Sequence, residues 1–98
     1  METGRVVHCK ADACDIRIDR RTGWGNPFLI GKDGNREEVL QKYESWLRGT
    51  GFKGFRPVQR RYILTHLEEL RGKVLGCWCA PNRCHGDILH ELLDEGGI

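Results

Sequence analysis

The sequence predicts a single compact α/β domain of two or three layers, with a small mixed sheet containing a parallel pair and with three helices. Three observations predict it. Segments of period-two or β-branched character and segments with 3.6-residue apolar stripes follow one another as strand, strand, helix, helix, strand, helix. The chain has 98 residues, enough for one modest core but small enough that a metal or a subunit interface would help to hold it. No internal repeat, linker or low-complexity run divides it, so residues 1–98 are expected to form one domain, ordered over about 5–93 with 1–4 and 96–98 flexible.

Arg5 to Cys9 reads as a first short strand, its valines suited to a pleated surface. Asp15-Ile16-Arg17-Ile18-Asp19 alternates apolar and charged residues, the pattern of a half-buried strand at a sheet edge. Residues 20–28, Arg-Arg-Thr-Gly-Trp-Gly-Asn-Pro-Phe, form a loop. Its two glycines allow close backbone approach, and Asn26 before Pro27 is held extended. Arg21 as a fork, Trp24 as a stacking face and Asn26 as a polar contact could together hold a phosphate or a base. The residues alone favour the plainer reading of the same loop, a turn whose Trp24 and Phe28 plug the core.

Gly31 to Gly34 is a tight turn, and Asn35 with Glu38 makes an N-x-x-E capping box, so a helix is expected from Arg36. Val39, Leu40, Tyr43, Trp46 and Leu47 form its stripe, Glu38 and Lys42 an i,i+4 pair, and the glycine-rich run 49–54 its end. Pro57 opens a second amphipathic helix with Val58, Tyr62, Ile63, Leu67 and Leu70, ending by Gly72. Its outer side carries Arg56, Arg60 and Arg61 beside Lys53. That cluster reads as a solvated face or as a contact for a phosphate backbone.

Lys73 to Cys79 reads as a buried strand with Leu75, Cys77 and Cys79 on one face. Pro81 and Asn82 turn the chain, and a helix with the stripe Ile88, Leu89, Leu92 and Leu93 follows, ended by Gly96-Gly97. Cys84 and His85 thus stand at a helix entrance, where free N–H groups favour an anion or a thiolate. If the first and last strands are parallel, Cys9 comes to the same sheet edge as Cys77, Cys79 and Cys84, at the crevice where open α/β sheets place ligands. Two chemistries fit. Cys77, Cys79 and Cys84 could ligate zinc, with Cys9 as the fourth ligand and His85 as the next choice. Alternatively Cys84 is a low-pKa nucleophile and His85 its acid/base partner, oriented by Asp87. The pairing of His85 with Asp87 requires Gly86 to break regular helical geometry. The plainest alternative treats the cysteines as small apolar side chains.

The runs GCWCAPNRCHGDIL, VVHCK and GWGNPF together resemble the small bacterial and phage family catalogued as domain of unknown function 4326, over about residues 5–93. The resemblance implies that Cys9, Trp24, Gly25, Asn26, Pro27, Phe28, Cys77, Trp78, Cys79, Cys84, His85, Gly86 and Asp87 belong to the family pattern. Cys14 lies outside it and is left out of the site.

A formal charge of +2 and 31% charged residues describe a nearly balanced surface, so any basic patch for nucleic acid has to be local. Five cysteines, an odd number without a signal-peptide pattern, a long apolar run or a lipidation motif, point to a reducing cytoplasm and away from membranes or a disulfide framework. The bacterial or phage-infected cell is the setting that the resemblance implies. Two functions follow as expectations. One is a zinc- or thiol-dependent enzyme acting on a nucleotide, nucleobase or nucleic acid, with Cys84, His85 and Asp87 in the chemistry and Arg21, Trp24 and Asn26 on the substrate. The other is a non-enzymatic zinc-stabilised module that binds nucleic acid or protein.

Overall fold

The structure, a computed structural model, describes residues 4–8, 14–19, 22–77 and 84–95. Its elements run β1 (Gly4–His8), β2 (Ile16–Arg17), α1 (Arg36–Arg48), α2 (Pro57–His66) with a 3-10 turn at Leu67–Leu70, β3 (Lys73–Cys77) and α3 (His85–Asp94). This is the expected order. β1 begins at Gly4, one residue earlier than expected, paired in register with Lys73.

The sheet order is β1-β3-β2, and both outer strands lie parallel to the central β3. The expected parallel pair is present, and β2 joins it in parallel too, so the described strands are all parallel rather than mixed. β2 is short because few ladder bonds are available to it. Asp15 N–H donates to the Val74 carbonyl at 2.8 Å and Ile18 N–H to the Gly76 carbonyl at 2.9 Å. The Asp15 carboxylate takes the Val74 N–H at 2.8 Å. An edge strand with a charged outer face and two paired residues offers little to a foreign strand.

α1 is a case in which local chemistry decides the boundaries. The Asn35 side chain accepts the Glu38 N–H at 2.9 Å and the Glu38 carboxylate accepts the Asn35 N–H at 2.8 Å, closing the predicted box. Gly49, at φ 80°, ends the helix in the left-handed conformation that costs glycine least. The expected Glu38–Lys42 pair does not form, because the Glu38 carboxylate is engaged by the cap and Lys42 Nζ donates to the Asp33 carbonyl at 2.6 Å. Asn35→Ala is expected to lower stability by about 1 kcal/mol, read from the denaturation midpoint.

α2 turns a different face inward from the one its apolar pattern suggested. Val58 is 80% exposed and Tyr62 also reaches solvent, while Ile63, Leu67 and Leu70 are buried. The displacement has a polar cause. The Gln59 amide donates to the Gly23 and Gly25 carbonyls at 3.2 and 2.9 Å, which sets the face of the helix that meets the tryptophan loop.

One continuous apolar cluster joins Ile18, Trp24 and Phe28 to the stripes of α1, α2 and α3 and to Leu75. α3 packs against β1 and α1, and Gly86 sets how closely. A Cβ built on it would stand 2.6 Å from Ile18 Cδ1 and 2.8 Å from a Val6 methyl. Gly86 therefore lies inside the helix as a contact point, not as the irregular turn that was expected. Gly86→Ala should lower stability by about 1–3 kcal/mol through overpacking, despite a helix-propensity gain of about 1 kcal/mol. An unchanged midpoint would show that Val6 and Ile18 can move aside.

Candidate metal centre

A central strand between two parallel neighbours ends at Cys77, and α3 begins eight residues later at His85. The chain therefore returns to the same sheet edge. Cys77, Cys84 and His85 meet there, with their candidate ligand atoms all within 4.8 Å of one another. Cys77 is 2%, Cys84 0% and His85 7% exposed. Cys9 and Cys79 lie outside the described residues, as do Trp78 and Arg21. His8, the chain neighbour of Cys9, is the register partner of Cys77.

Each of the three side chains is held by a separate device. Cys77 is buried at the end of β3, on the pleat face it shares with Leu75. Cys84 is the N-cap of α3, with an extended backbone at φ −141°. Its Sγ accepts the Gly86 N–H at 3.3 Å, while the Asp87 carboxylate takes the Cys84 N–H at 2.8 Å. This arrangement is a capping box with sulfur in the place of the usual hydroxyl or carboxamide oxygen. The N–H groups and the helix dipole of such a position act in favour of a negative charge, and the full burial of Cys84 acts against it.

His85 is fixed from further away. Its Nε2 lies 2.5 Å from the Ile18 carbonyl, 67 residues earlier in the chain, and its ring meets Tyr43 edge-on with centroids 5.5 Å apart. A carbonyl only accepts, so Nε2 carries the proton and Nδ1 is left with the lone pair in the neutral ring. Burial pushes the His85 pKa down, against the opposing pulls of the Ile18 bond and of the Asp87 and Asp19 charges. A neutral imidazole with one nitrogen tied to a carbonyl is the form in which histidines bind metals. The expected orientation of His85 by Asp87 is corrected here, because that carboxylate caps the helix and the Ile18 carbonyl performs the orienting.

Tyr43 closes the side of the cluster. It is fully buried, and burial, with the nearby Cys84 and Cys77, pushes its phenol far above the ordinary value. It stays protonated and donates to the Trp24 carbonyl at 2.9 Å. The tryptophan loop is thereby tied to the wall of the cluster. Trp24 itself is 5% exposed and packs edge-on against Tyr62 at 5.6 Å. The Asn26 side chain donates to the Val39 carbonyl at 3.1 Å and accepts the Phe28 N–H at 2.9 Å. Trp24 thus takes the core-plug position, and Asn26 lines a cavity of about 270 Å³ with Arg56 and Gln59.

Sequence reasoning missed three contributors: the Ile18 carbonyl, Tyr43 as a wall, and Asp19, a carboxylate 5% exposed that is paired with Arg17 at 2.5 Å. Asp19 closes an alternating strand and looks like an exposed charge. Only the chain's turn back at Thr22, whose N–H donates to the Asp19 carbonyl at 3.0 Å, puts it inside.

Two buried histidines give stability a pH dependence. Burial lowers the pKa of both His85 and His90, and the Nε2 of His90 is a buried atom without a hydrogen-bond partner. Since the folded values lie below the unfolded one near 6.5, the unfolded chain binds more protons in acid. Stability present above about pH 6.5 therefore falls as pH drops below it, by at most about 1.4 kcal/mol per pH unit for each histidine. Urea titrations between pH 7.5 and 5.5 should show this fall, and His90→Asn should reduce it to the part that His85 contributes. A midpoint that is flat across that range for the unsubstituted protein would contradict it.

Comparison with known proteins matches the chain to one family. The model of the family described as "Domain of unknown function (DUF4326)" matches residues 4–95. An uncharacterized 12.4 kDa protein from the nrdA-td intergenic region of Enterobacteria phage T4 is 39% identical over 94 residues, covering 93% of this chain and 78% of its own length. The uncharacterized protein R718 of Acanthamoeba polyphaga mimivirus is 29% identical over 97 residues, covering 81% of this chain and 66% of its own. No solved structure matches the chain. Among the described residues, no helix is long and apolar enough to cross a membrane.

Proposed function

This chain belongs to the family described as domain of unknown function DUF4326, and on that premise we propose that it is a zinc-binding α/β protein of the bacterial or phage-infected cytoplasm that binds nucleotides or nucleic acid. The observation that carries the metal is the meeting of Cys77, Cys84 and His85 within 4.8 Å. Zinc bonds of about 2.3 Å to sulfur and 2.0 Å to nitrogen place tetrahedral ligands roughly 3.5–3.8 Å apart. Closing from the present spacing needs shifts of about an ångström or less. Two thiolates and an imidazole are a donor set suited to zinc rather than to magnesium or calcium. The fourth ligand is Cys9, which follows the register partner of Cys77, or Cys79. His85, first placed behind Cys9 in the ligand order, now stands in the ligand set.

The burial of all three groups supports a metal that reinforces the fold, with ligand binding elsewhere on the surface. An enzyme is the second reading, and one observation favours it. Cys84 Sγ accepts a helix N-terminal N–H, as an activated thiolate would, beside a neutral His85. In that reading Cys84 is the nucleophile, His85 the acid/base, and Asp87 acts by holding the Cys84 backbone. Metal content decides between them. Protein purified without added metal should hold about one zinc per chain, by the ligand count. Metal-free protein with all five thiols freely titrating would overturn the zinc reading and leave the thiol reading in its place.

A further inference from the structure

Between α1 and α2 two similar tripeptides follow one another, Gly51-Phe52-Lys53 and Gly54-Phe55-Arg56. Buried aromatics and solvated cations are the usual outcome for such residues, yet here Phe52 is 42% and Phe55 38% exposed. They stand over a buried ring. Phe55 stacks on Phe28 at 5.0 Å with the planes 28° apart, and Phe52 meets Phe28 at 5.0 Å.

The loop is held rigidly. The Trp46 indole N–H donates to the Phe55 carbonyl at 2.7 Å, and the Arg60 guanidinium donates to the Trp46 and Leu47 carbonyls at 2.7 and 3.0 Å. Phe52 and Arg56 are the non-glycine residues with positive φ among those described, at 57° and 45°. Left-handed backbone at a bulky residue persists only where its surroundings enforce it.

Beside the rings lies a cavity of about 500 Å³ whose lining includes Phe52, Phe55, Lys53 and Arg61. That is a volume suited to one nucleotide-sized group. Among the described residues, no carboxylate forms an ion pair with Lys53, Arg56 or Arg61. α2 starts here with Pro57, without a side-chain cap and without an acidic residue in its first turn. Its positive end is therefore unopposed.

Arg56 lies over the Phe55 ring at 5.8 Å from its centroid, and exposed rings next to cations that no described carboxylate neutralises, with an uncapped helix start, are complementary to a base joined to a phosphate. We propose that this loop is a binding site for single-stranded nucleic acid, with bases stacking on Phe52 and Phe55 and phosphates meeting Lys53 and Arg61. A duplex keeps its bases stacked on one another and presents no free face to the rings. The proposal rests on the nucleic-acid part of the preceding reading and is independent of the metal.

The test is fluorescence anisotropy of a labelled oligothymidylate with the full chain, zinc content being measured on the same samples. Two phosphate contacts give a log–log salt slope of about −1.4, so binding should weaken about sevenfold between 50 and 200 mM salt. Phe52→Ala or Phe55→Ala should weaken it at least about fivefold. Because both rings also pack on Phe28, Lys53→Ala/Arg61→Ala is the second variant. It alters exposed residues, should keep the wild-type circular dichroism, and should flatten the salt slope towards zero. Full affinity retained in the double variant and in both phenylalanine variants would overturn this site while leaving nucleic-acid binding elsewhere intact. Absence of any oligonucleotide binding would overturn both. Displacement by free thymidine triphosphate at concentrations equal to the strand's would also overturn the strand assignment, in favour of a mononucleotide.

Discussion

Cys84→Ser is expected to abolish stoichiometric zinc and to lower the stability of the protein by roughly 3 kcal/mol or more, because it removes one ligand while leaving the rest of the local structure in place. The choice of serine matters. Cys84 is the N-cap of α3 through its side chain and through the Asp87 bond to its N–H, and serine is among the best residues at that position. A cap defect is thus excluded as the cause of any loss. A metal present at about 100 times its dissociation constant stabilises the folded state by about 2.7 kcal/mol, and more when it binds tighter. Adding a chelator to the unsubstituted protein should bring its denaturation midpoint down to that of the variant. Equal zinc content and equal midpoints in the two proteins would remove Cys84 from the ligand set.

What the sequence showed of this molecule is largely what is encoded within one turn or one helix. Asn35 and Glu38 announced the start of α1, Gly49 its end and Pro57 the start of α2, because caps join residues three or four apart. The parallel relation of β1 and β3, from which Cys9 was expected to approach the other cysteines, is present, while Cys9 itself lies outside the described residues. By contrast, Val58 looked like core because its spacing fits a helical stripe. Its exposure is set by Gln59 holding two carbonyls of a loop more than thirty residues earlier in the chain.

The candidate site divides in the same way. Cys77, Cys84 and His85 stood out by type and spacing. The partner of His85 did not, since it is a backbone carbonyl that any residue at position 18 would supply. Asp87 looked like the natural partner of His85 because it is a carboxylate two residues away, but helical geometry turns it back towards the cap. In the sequence the Gly-Phe-Lys-Gly-Phe-Arg run reads as a glycine-rich helix end, and the four cations as a solvated face or a contact for a phosphate backbone. Only the fold shows that the rings stay outside and that the cations gather beside them.

Trp24→Ala is the other substitution of large expected effect, and it separates two roles for the tryptophan loop. If the indole were a stacking face for a ligand, its removal would leave the fold intact and weaken binding alone. The packing argues otherwise. Trp24 is 5% exposed and belongs to the central apolar cluster, its ring meets Tyr62, and its carbonyl receives the buried Tyr43 hydroxyl at 2.9 Å. Truncating such a residue typically costs 3–5 kcal/mol, about 3 at the low end, against a total of roughly 5–15 kcal/mol for a domain of ordinary stability. The variant should lose most of its stability, with a much reduced denaturation midpoint and a strong tendency to unfold at 37 °C. Trp24→Phe, which refills most of the space, should recover the larger part of that loss. Tyr43 stands between Trp24 and the cysteine–histidine cluster, so zinc affinity should fall with Trp24→Ala and recover with Trp24→Phe. A Trp24→Ala protein with an unchanged midpoint would return the indole to the surface and restore the ligand-binding role to this loop.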